Sequence, residues 1–168
     1  MAFDLGLTLF TEGGALTQAR QVESLLECNA ATAAYGLQLT PAQAQALLDT
    51  RSGALRKTGR VELGGGILEQ LILTFCDSPY LIRDNYEETL HTLVDLFYHF
   101  KNETEDRVGD TALLTYMKRA FDGQCRGSLE LLAGTALPEM ARKLRERCAS
   151  PLPRQEVTND WAGRAQPH

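Results

Sequence analysis

The chain has 168 residues, of which 43% are hydrophobic and 23% charged, a composition typical of a globular protein with a sizeable core and not of a disordered one. Its formal net charge of −5 disfavours nucleic acids and anionic membranes as general partners, because both carry dense negative charge. The cysteines are widely spaced, with no CxxC pair and no histidine close by, so we expect no metal site.

The N-terminal stretch MAFDLGLTLF lacks a basic leader, and its apolar run is too short for a secretory signal or a membrane span. With no export signal, we expect a cytoplasmic protein with reduced thiols. Hydrophobic residues alternate here with polar or small ones, a period of two that predicts a short strand. The hydrophobic positions are Phe3, Leu5, Leu7 and Leu9.

The first two helices are predicted from the spacing of the next hydrophobic residues. The period becomes helical near Thr17, and Gly36 is predicted to end this helix. The second helix is predicted to begin at Pro41, with Thr40 as its N-cap, a glutamine three residues later, and Gly59 after its last turn. Its predicted inward residues are Ala44, Leu47, Leu48 and Leu55.

The middle of the chain contains the two most apolar predicted helices. The first follows a glycine triplet and stops at an Asp-Ser-Pro sequence that ends at Pro79. The second has the clearest 3.6-residue period in the chain and is predicted to be capped by Asp84 or Asn85. Their predicted inward faces are Ile67, Leu68, Leu71, Ile72 and Phe75, and then Tyr86, Leu90, Leu93, Val94, Phe97 and Phe100.

Two more helical stretches follow. Asp110 is predicted to cap one of them, which ends before Gly123. The sequence RGSLELLAGTALPEMARKLRERC predicts a short and a longer helix with a break near Gly134. The predicted inward residues are Leu113, Leu114, Met117, Ala120 and Phe121, and in the longer helix Leu137, Met140, Ala141, Leu144 and Cys148.

These elements predict an all-α fold, a bundle or orthogonal array of six to seven helices, together with the short N-terminal strand. Residues 1–149 are predicted to form one domain. Residues 150–168 contain three prolines and no hydrophobic period, so we expect a flexible tail.

Three consecutive glycines, Gly64 to Gly66, raise the question of a phosphate-binding loop. The P-loop pattern fails because Arg56 stands where a glycine must precede the Lys-Thr pair, and the dinucleotide pattern fails at Glu69, where it needs a third glycine. Two interpretations stay open. The amides at the helix start bind an anion with help from Arg60, or the glycines form only a bend.

The sequence GQCRG, residues 123–127, has the Gly-x-Cys-x-Gly spacing of a nucleophile elbow. That motif needs a preceding strand, whereas the residues before it have a helical pattern, and the candidate bases are limited to His91, His99 and His168. We interpret Cys125 as a small, half-buried thiol in the turn after a helix.

Glu88 and His91 have the Glu-x-x-His spacing of di-iron carboxylate bundles, and Asp95 lies one helical turn further on. Such a site needs a second Glu-x-x-His copy, which the sequence lacks. We therefore interpret these residues as the polar outer face of a helix.

Positive charge is concentrated in two stretches. Residues 51–60 contain four basic residues and no acidic one, and residues 142–147 contain four basic residues and one acidic one. One interpretation is a contact with nucleic acid through Arg51 to Arg60, without interleaved aromatic residues for base stacking. The other, which we favour, is a pair of solvated helix C-termini.

The segments GRVELGGGILEQLILTFCDSPY and FDGQCRGSLELLAGTALPEMARKLRE resemble an uncharacterised bacterial family of similar size, a domain of unknown function. The resemblance runs from about residue 25 to residue 147. It implies a bacterial, cytosolic, helical protein, and it brings no activity, cofactor or functional residue with it.

Because no catalytic constellation is complete, we expect a non-enzymatic accessory or protein-interaction module without a cofactor, whose partner is a second copy or another protein. The alternative is a binder of a small anionic molecule, or an enzyme acting on one, at the point where the glycine triplet meets the turn CDSPY. A weak nucleic-acid contact through Arg51 to Arg60 is a second alternative. The candidate ligand-binding residues are Arg60, Gly64, Gly65, Gly66, Cys76, Asp77 and Tyr80.

Overall fold

The computed structural model describes residues 17–62 and 66–149, and within these ranges the fold is all-α, as predicted, with no strand. The predicted N-terminal strand and the predicted tail lie outside the described residues. No helix in the described ranges combines the length and the apolar character that crossing a bilayer requires.

The helices follow one another with short connections. They are α1 (residues 17–27), α2 (Asn29–Thr32), α3 (Pro41–Thr58), α4 (Ile67–Phe75), α5 (Tyr86–Glu103), α6 (Asp110–Asp122), α7 (Leu129–Leu131) and α8 (Leu137–Ala149), with a 3₁₀ turn at Ala33–Tyr35 and a π-helical segment at Leu132–Ala136.

Helix α5 lies at the centre of the fold. It packs most extensively against α3 and also contacts α4, α6, α7 and α8. The inward faces predicted for α4, α5 and α6 are all buried, because their hydrophobic residues recur at the helical period. The firmest expectation from the sequence is thus confirmed.

Helix α3 begins and ends as its sequence predicts. The Thr40 hydroxyl accepts the Gln43 N–H at 3.2 Å, and the Gln43 side chain accepts the Thr40 N–H at 2.9 Å, which completes a capping box. Gly59 follows the last turn with a positive φ of 66°, a conformation that glycine adopts without strain.

Of two predicted caps, one is right in position and one is wrong. Asn85 is the N-cap residue of α5, as predicted, but its side chain turns back toward the preceding loop, where it accepts the Ile82 N–H at 2.9 Å and makes no capping hydrogen bond. Gly109, not Asp110, is the N-cap of α6. Asp110 is the first residue of that helix, and its carboxylate pairs with Lys101 at 2.8 Å.

The predicted short and longer helices are both present, and the α-helical pattern is interrupted near Gly134 as predicted, but the interruption is a continuous π-helical segment. Pro138 has no N–H to donate to the carbonyl of Gly134, four residues earlier, and a proline ring crowds that carbonyl. The Leu137 N–H instead donates to Leu132, five residues earlier. The proline therefore widens the helix and does not stop it.

Some predicted inward positions are more exposed than expected. Cys148 is exposed near the end of α8, and Leu144 is only half-buried. On α3, Leu55 is half-buried, while Ala54 and Arg51 are buried. The buried arginine has consequences for the candidate site.

The capping box of α3 yields a stability prediction. Replacing Thr40 with alanine removes the oxygen that accepts the Gln43 N–H, so we expect a loss of about 1 kcal/mol in the free energy of unfolding. Thr115→Ala, at an exposed position inside α6, is the matched control and should cost nothing comparable. Urea denaturation measures both, and equal losses would contradict the assigned cap.

Candidate functional site

Glu62, in the described part of the connection between α3 and α4, forms an ion pair with an arginine that is buried in α3. Arg51, which is only 5% exposed, donates from Nε and Nη2 to Glu62 Oε2 at 3.3 and 3.1 Å. Tyr98 of α5 donates its hydroxyl to the same oxygen at 2.7 Å. One carboxylate oxygen therefore connects α3, α5 and the connection.

Gly66 lies against this ion pair. A Cβ at position 66 would lie 2.7 Å from Glu62 Oε2 and 2.9 Å from Arg51 Nη2, and its φ of 54° also favours glycine. The Glu62 carboxylate thus lies close to the start of α4, where the sequence suggested an anionic ligand group, and an anion there has to compete with it. Gly64 and Gly65 lie outside the described residues.

The Arg60 guanidinium is already paired with the Asp106 carboxylate, so a ligand would have to displace that carboxylate. The two groups form a bidentate pair, with Nη1 2.7 Å from Oδ1 and Nη2 2.8 Å from Oδ2. The hydrogen bonds from Arg60 lower the pKa of Asp106 below its usual range. The pair links the start of the connection after α3 to the loop between α5 and α6.

The residues predicted from the CDSPY turn also have partners within the chain. The Asp77 carboxylate lies 2.7 Å from Lys118 Nζ, and this contact lowers the pKa of Asp77. The Cys76 thiol donates to the Leu73 carbonyl at 3.2 Å, and burial raises its pKa. Tyr80 packs onto Gly127, where a Cβ would lie 2.5 Å from the Tyr80 ring.

The two halves of the predicted ligand site lie at opposite ends of α4. Gly66 precedes its first residue and Cys76 follows its last, a separation of about 15 Å at the α-helical rise. The helix keeps Asp77 and Tyr80 away from Gly66 and Arg60.

Cys125 is more deeply buried than predicted, at 2% exposure, and burial raises the pKa of its thiol. It follows helix α6 rather than a strand, so the geometry of a nucleophile elbow is missing.

His91 takes part in the contact between α3 and α5. Its Nδ1 lies 2.6 Å from the Thr50 hydroxyl, and its Nε2 lies 3.5 Å from a Glu87 oxygen. Glu88 and Asp95 stay exposed. The described residues contain no cluster of three or more side chains suited to holding a metal ion.

The interpretation of residues 51–60 as solvated charges is partly wrong. Arg51 is buried against Glu62, and Arg60 is paired with Asp106. Arg56 and Lys57 are exposed in the last turn of α3, as expected.

A groove that the sequence analysis did not single out runs between α6 and α8, and we refer to it as the α6–α8 groove. It encloses about 280 Å³. Its lining residues are Val108, Tyr116, Met140, Lys143, Leu144 and Arg147. The helical spacing of Met140 and Leu144 predicted that both side chains face the fold. The sequence could not show that they are only half-buried, because that depends on how α6 packs against α8.

The floor of the α6–α8 groove is apolar and its rim is basic. The Tyr116 hydroxyl donates to the Ala136 carbonyl at 3.0 Å, which holds the ring against the π-helical segment. Lys143 pairs with Glu139 at 2.9 Å, whereas Arg147 makes no ion pair within the part of the chain that the structure describes. Lys143 and Arg147 are four residues apart, so they extend from one face of α8.

Comparison with known proteins confirms the resemblance. A family model described as a family of unknown function (DUF6323) matches residues 24–150. No curated protein and no solved structure matches the chain.

A glycine comparison tests the site at the start of α4. We expect Gly66→Ala to lower the free energy of unfolding by about 1 kcal/mol or more, because the new Cβ meets the ion pair and the φ is positive. Gly53→Ala, inside α3 with nothing within 4 Å, is the control and should stabilise by about 0.5 to 1 kcal/mol. Equal effects would contradict the close approach.

Two buried tyrosines predict how stability changes in alkaline solution. Burial, and then the neighbouring Glu62 carboxylate, raises the pKa of Tyr98 far above its usual range, and burial raises the pKa of Tyr86 from 10.0 to about 12. Because the folded-state values exceed the unfolded ones, this contribution to stability is complete below a pH of about 10 and is lost as the pH rises through the folded-state values.

Denaturation midpoints between neutral and strongly alkaline pH measure this dependence. We expect Tyr98→Phe to flatten the fall in stability above a pH of about 10, since phenylalanine has no proton to release. An unchanged slope would show that Tyr98 does not carry a raised pKa.

Proposed function

The chain belongs to the DUF6323 family, a family of unknown function, and we propose that it is a protein-interaction module that binds an acidic, amphipathic segment of another protein in the α6–α8 groove. The observation that carries the proposal is the apolar floor of this groove with Lys143 and Arg147 at its rim.

The size of the groove favours a side chain of a protein segment over a free metabolite. Small-molecule pockets usually enclose about 300 to 1,000 Å³ and bury most of their ligand. At about 280 Å³ the α6–α8 groove is smaller, and it suits one or two apolar anchors of a helix laid along α8. Met140 adds an adaptable thioether to the floor.

The positive charge of the rim favours an acidic partner. Lys143 and Arg147 attract carboxylates placed beside the anchors, and such charges set specificity and association rate more than affinity. Arg145, on another part of α8, lies 3.8 Å from Glu103, so it is directed toward the fold.

The remaining alternatives have less support. A small anionic ligand at the glycine triplet would compete with Glu62 and would find Arg60 bound to Asp106. For nucleic acid, the same pairings leave only Arg56 and Lys57 of the basic stretch exposed and unpaired among the described residues, which is too little charge for strong phosphate binding.

We also propose a bacterial cytoplasm as the location of the protein. The proposal rests on the family resemblance and on the four cysteines, all of which are free thiols.

A selection experiment tests the proposed function. Helical peptides with randomised apolar and acidic positions, displayed on phage, are selected against the full chain, and the affinities of enriched peptides are measured by fluorescence anisotropy. We expect enrichment of peptides that combine apolar anchors with flanking Asp or Glu. Lys143→Glu with Arg147→Glu should weaken their binding about tenfold or more, because both rim charges are reversed.

The control is Arg142→Glu with Arg145→Glu, an equal charge change on the same helix outside the groove. We expect it to change the affinity by about twofold at most, since exposed ion pairs contribute little. Equal weakening by both double variants, or enrichment without acidic residues, would overturn the proposal.

A further inference from the structure

A second concave surface lies against α3 and α5, and we refer to it as the α3–α5 pocket. It encloses about 430 Å³ between the last turn of α3, the outer side of α5 and the π-helical segment. The residues that the argument uses are Ala54, Lys57, Asp95, Leu96, His99 and Ala133. It shares no lining residue with the α6–α8 groove.

The space in this pocket has a local cause. Pro138 widens the helix before α8 into the π form, and this segment contributes Ala133 to the pocket lining, to which α3 contributes Ala54. Both wall residues are small, so they leave the outer side of α5 uncovered. Single-turn π segments are frequent at functional sites, and the volume lies within the range of pockets for small molecules.

The charges around the pocket are of opposite sign and are not used by the fold. Lys57 is exposed on α3, and Asp95 is exposed on α5. Neither makes an ion pair or a side-chain hydrogen bond within the described residues. Arg51, Arg60 and Asp77 differ in this respect, because each forms an ion pair with another residue of the chain.

The floor and one wall of the pocket are apolar or aromatic. Leu96 and Ala54 supply aliphatic surface. His99 follows Asp95 by one helical turn, and its ring stands edge-on to Phe100 with centroids 4.9 Å apart, which restrains the imidazole as a polar wall.

We propose that the α3–α5 pocket binds a small zwitterion of the amino-acid class, with its carboxylate at Lys57, its ammonium group at Asp95 and an apolar side chain on the floor. A simple anion in the pocket would be attracted by Lys57 but repelled by Asp95, and a simple cation would be attracted by Asp95 but repelled by Lys57. A molecule that carries both charges and an apolar body can pair with Lys57, pair with Asp95 and pack on the apolar floor.

A titration of the ¹⁵N-labelled full chain with L-phenylalanine and L-leucine, followed by amide chemical shifts, tests the proposal. We expect saturable shifts at Lys57, Asp95 and Ala133. 3-Phenylpropanoate lacks the ammonium group and phenethylamine lacks the carboxylate, and each should bind about tenfold more weakly than L-phenylalanine, the loss of one charge-assisted contact.

Two single variants locate the binding. Lys57→Met and Asp95→Asn change exposed residues, so the fold should survive, and each should weaken L-phenylalanine binding about tenfold. Lys143→Met, in the α6–α8 groove, is the control and should leave the affinity unchanged. Absence of saturable shifts with both amino acids, binding of either analogue as tight as that of L-phenylalanine, or insensitivity to both variants would overturn the proposal without bearing on the α6–α8 groove.

Discussion

Arg51 carries a permanent positive charge into the interior of the fold, and that charge has to be matched there. A guanidinium does not lose its proton in a protein, and an uncompensated buried charge costs several kcal/mol. Glu62 supplies the matching carboxylate from the connection after α3, and Tyr98 supplies a further hydrogen bond from α5. This requirement holds Glu62 against α3 and α5, with Gly66 as the residue that permits the close approach at the start of α4.

The same kind of pairing holds the other connections. Lys101 is only 7% exposed, and it donates to the Val108 carbonyl at 2.8 Å and pairs with Asp110, so it fixes the loop between α5 and α6. Lys118 pairs with Asp77 and Asp122, and this fixes the turn after α4 onto α6. The polar residues of the connections are therefore largely committed to the fold. The charges on which the two proposals rest lie on the outer faces of α3, α5 and α8.

The helices were predictable from the sequence because their causes are local. The spacing of Leu90, Leu93 and Phe97 places them on one face of α5, and the cap at Thr40 lies within four residues of its partner. The form of the helix at Pro138 was not predicted, because a proline there is compatible with either a break or a π segment.

The candidate ligand residues could not be interpreted from the sequence, because their partners are distant in the chain. Arg60 and Asp106 are 46 residues apart, and Tyr98 is 36 residues from Glu62. A basic residue beside glycines resembles an anion site until its own carboxylate is located. The two concave surfaces were missed for the same reason, since each combines residues from helices that are distant from one another in the chain.

A double-mutant cycle between Arg51 and Glu62 tests the central claim most directly. Arg51→Met, Glu62→Gln and the double variant are compared with the unaltered chain by urea denaturation. If Glu62 compensates the buried charge of Arg51, the two substitutions are coupled by about 1 to 3 kcal/mol, with the double variant more stable than the sum of the single losses implies. Additive losses, with a coupling free energy near zero, would contradict the account.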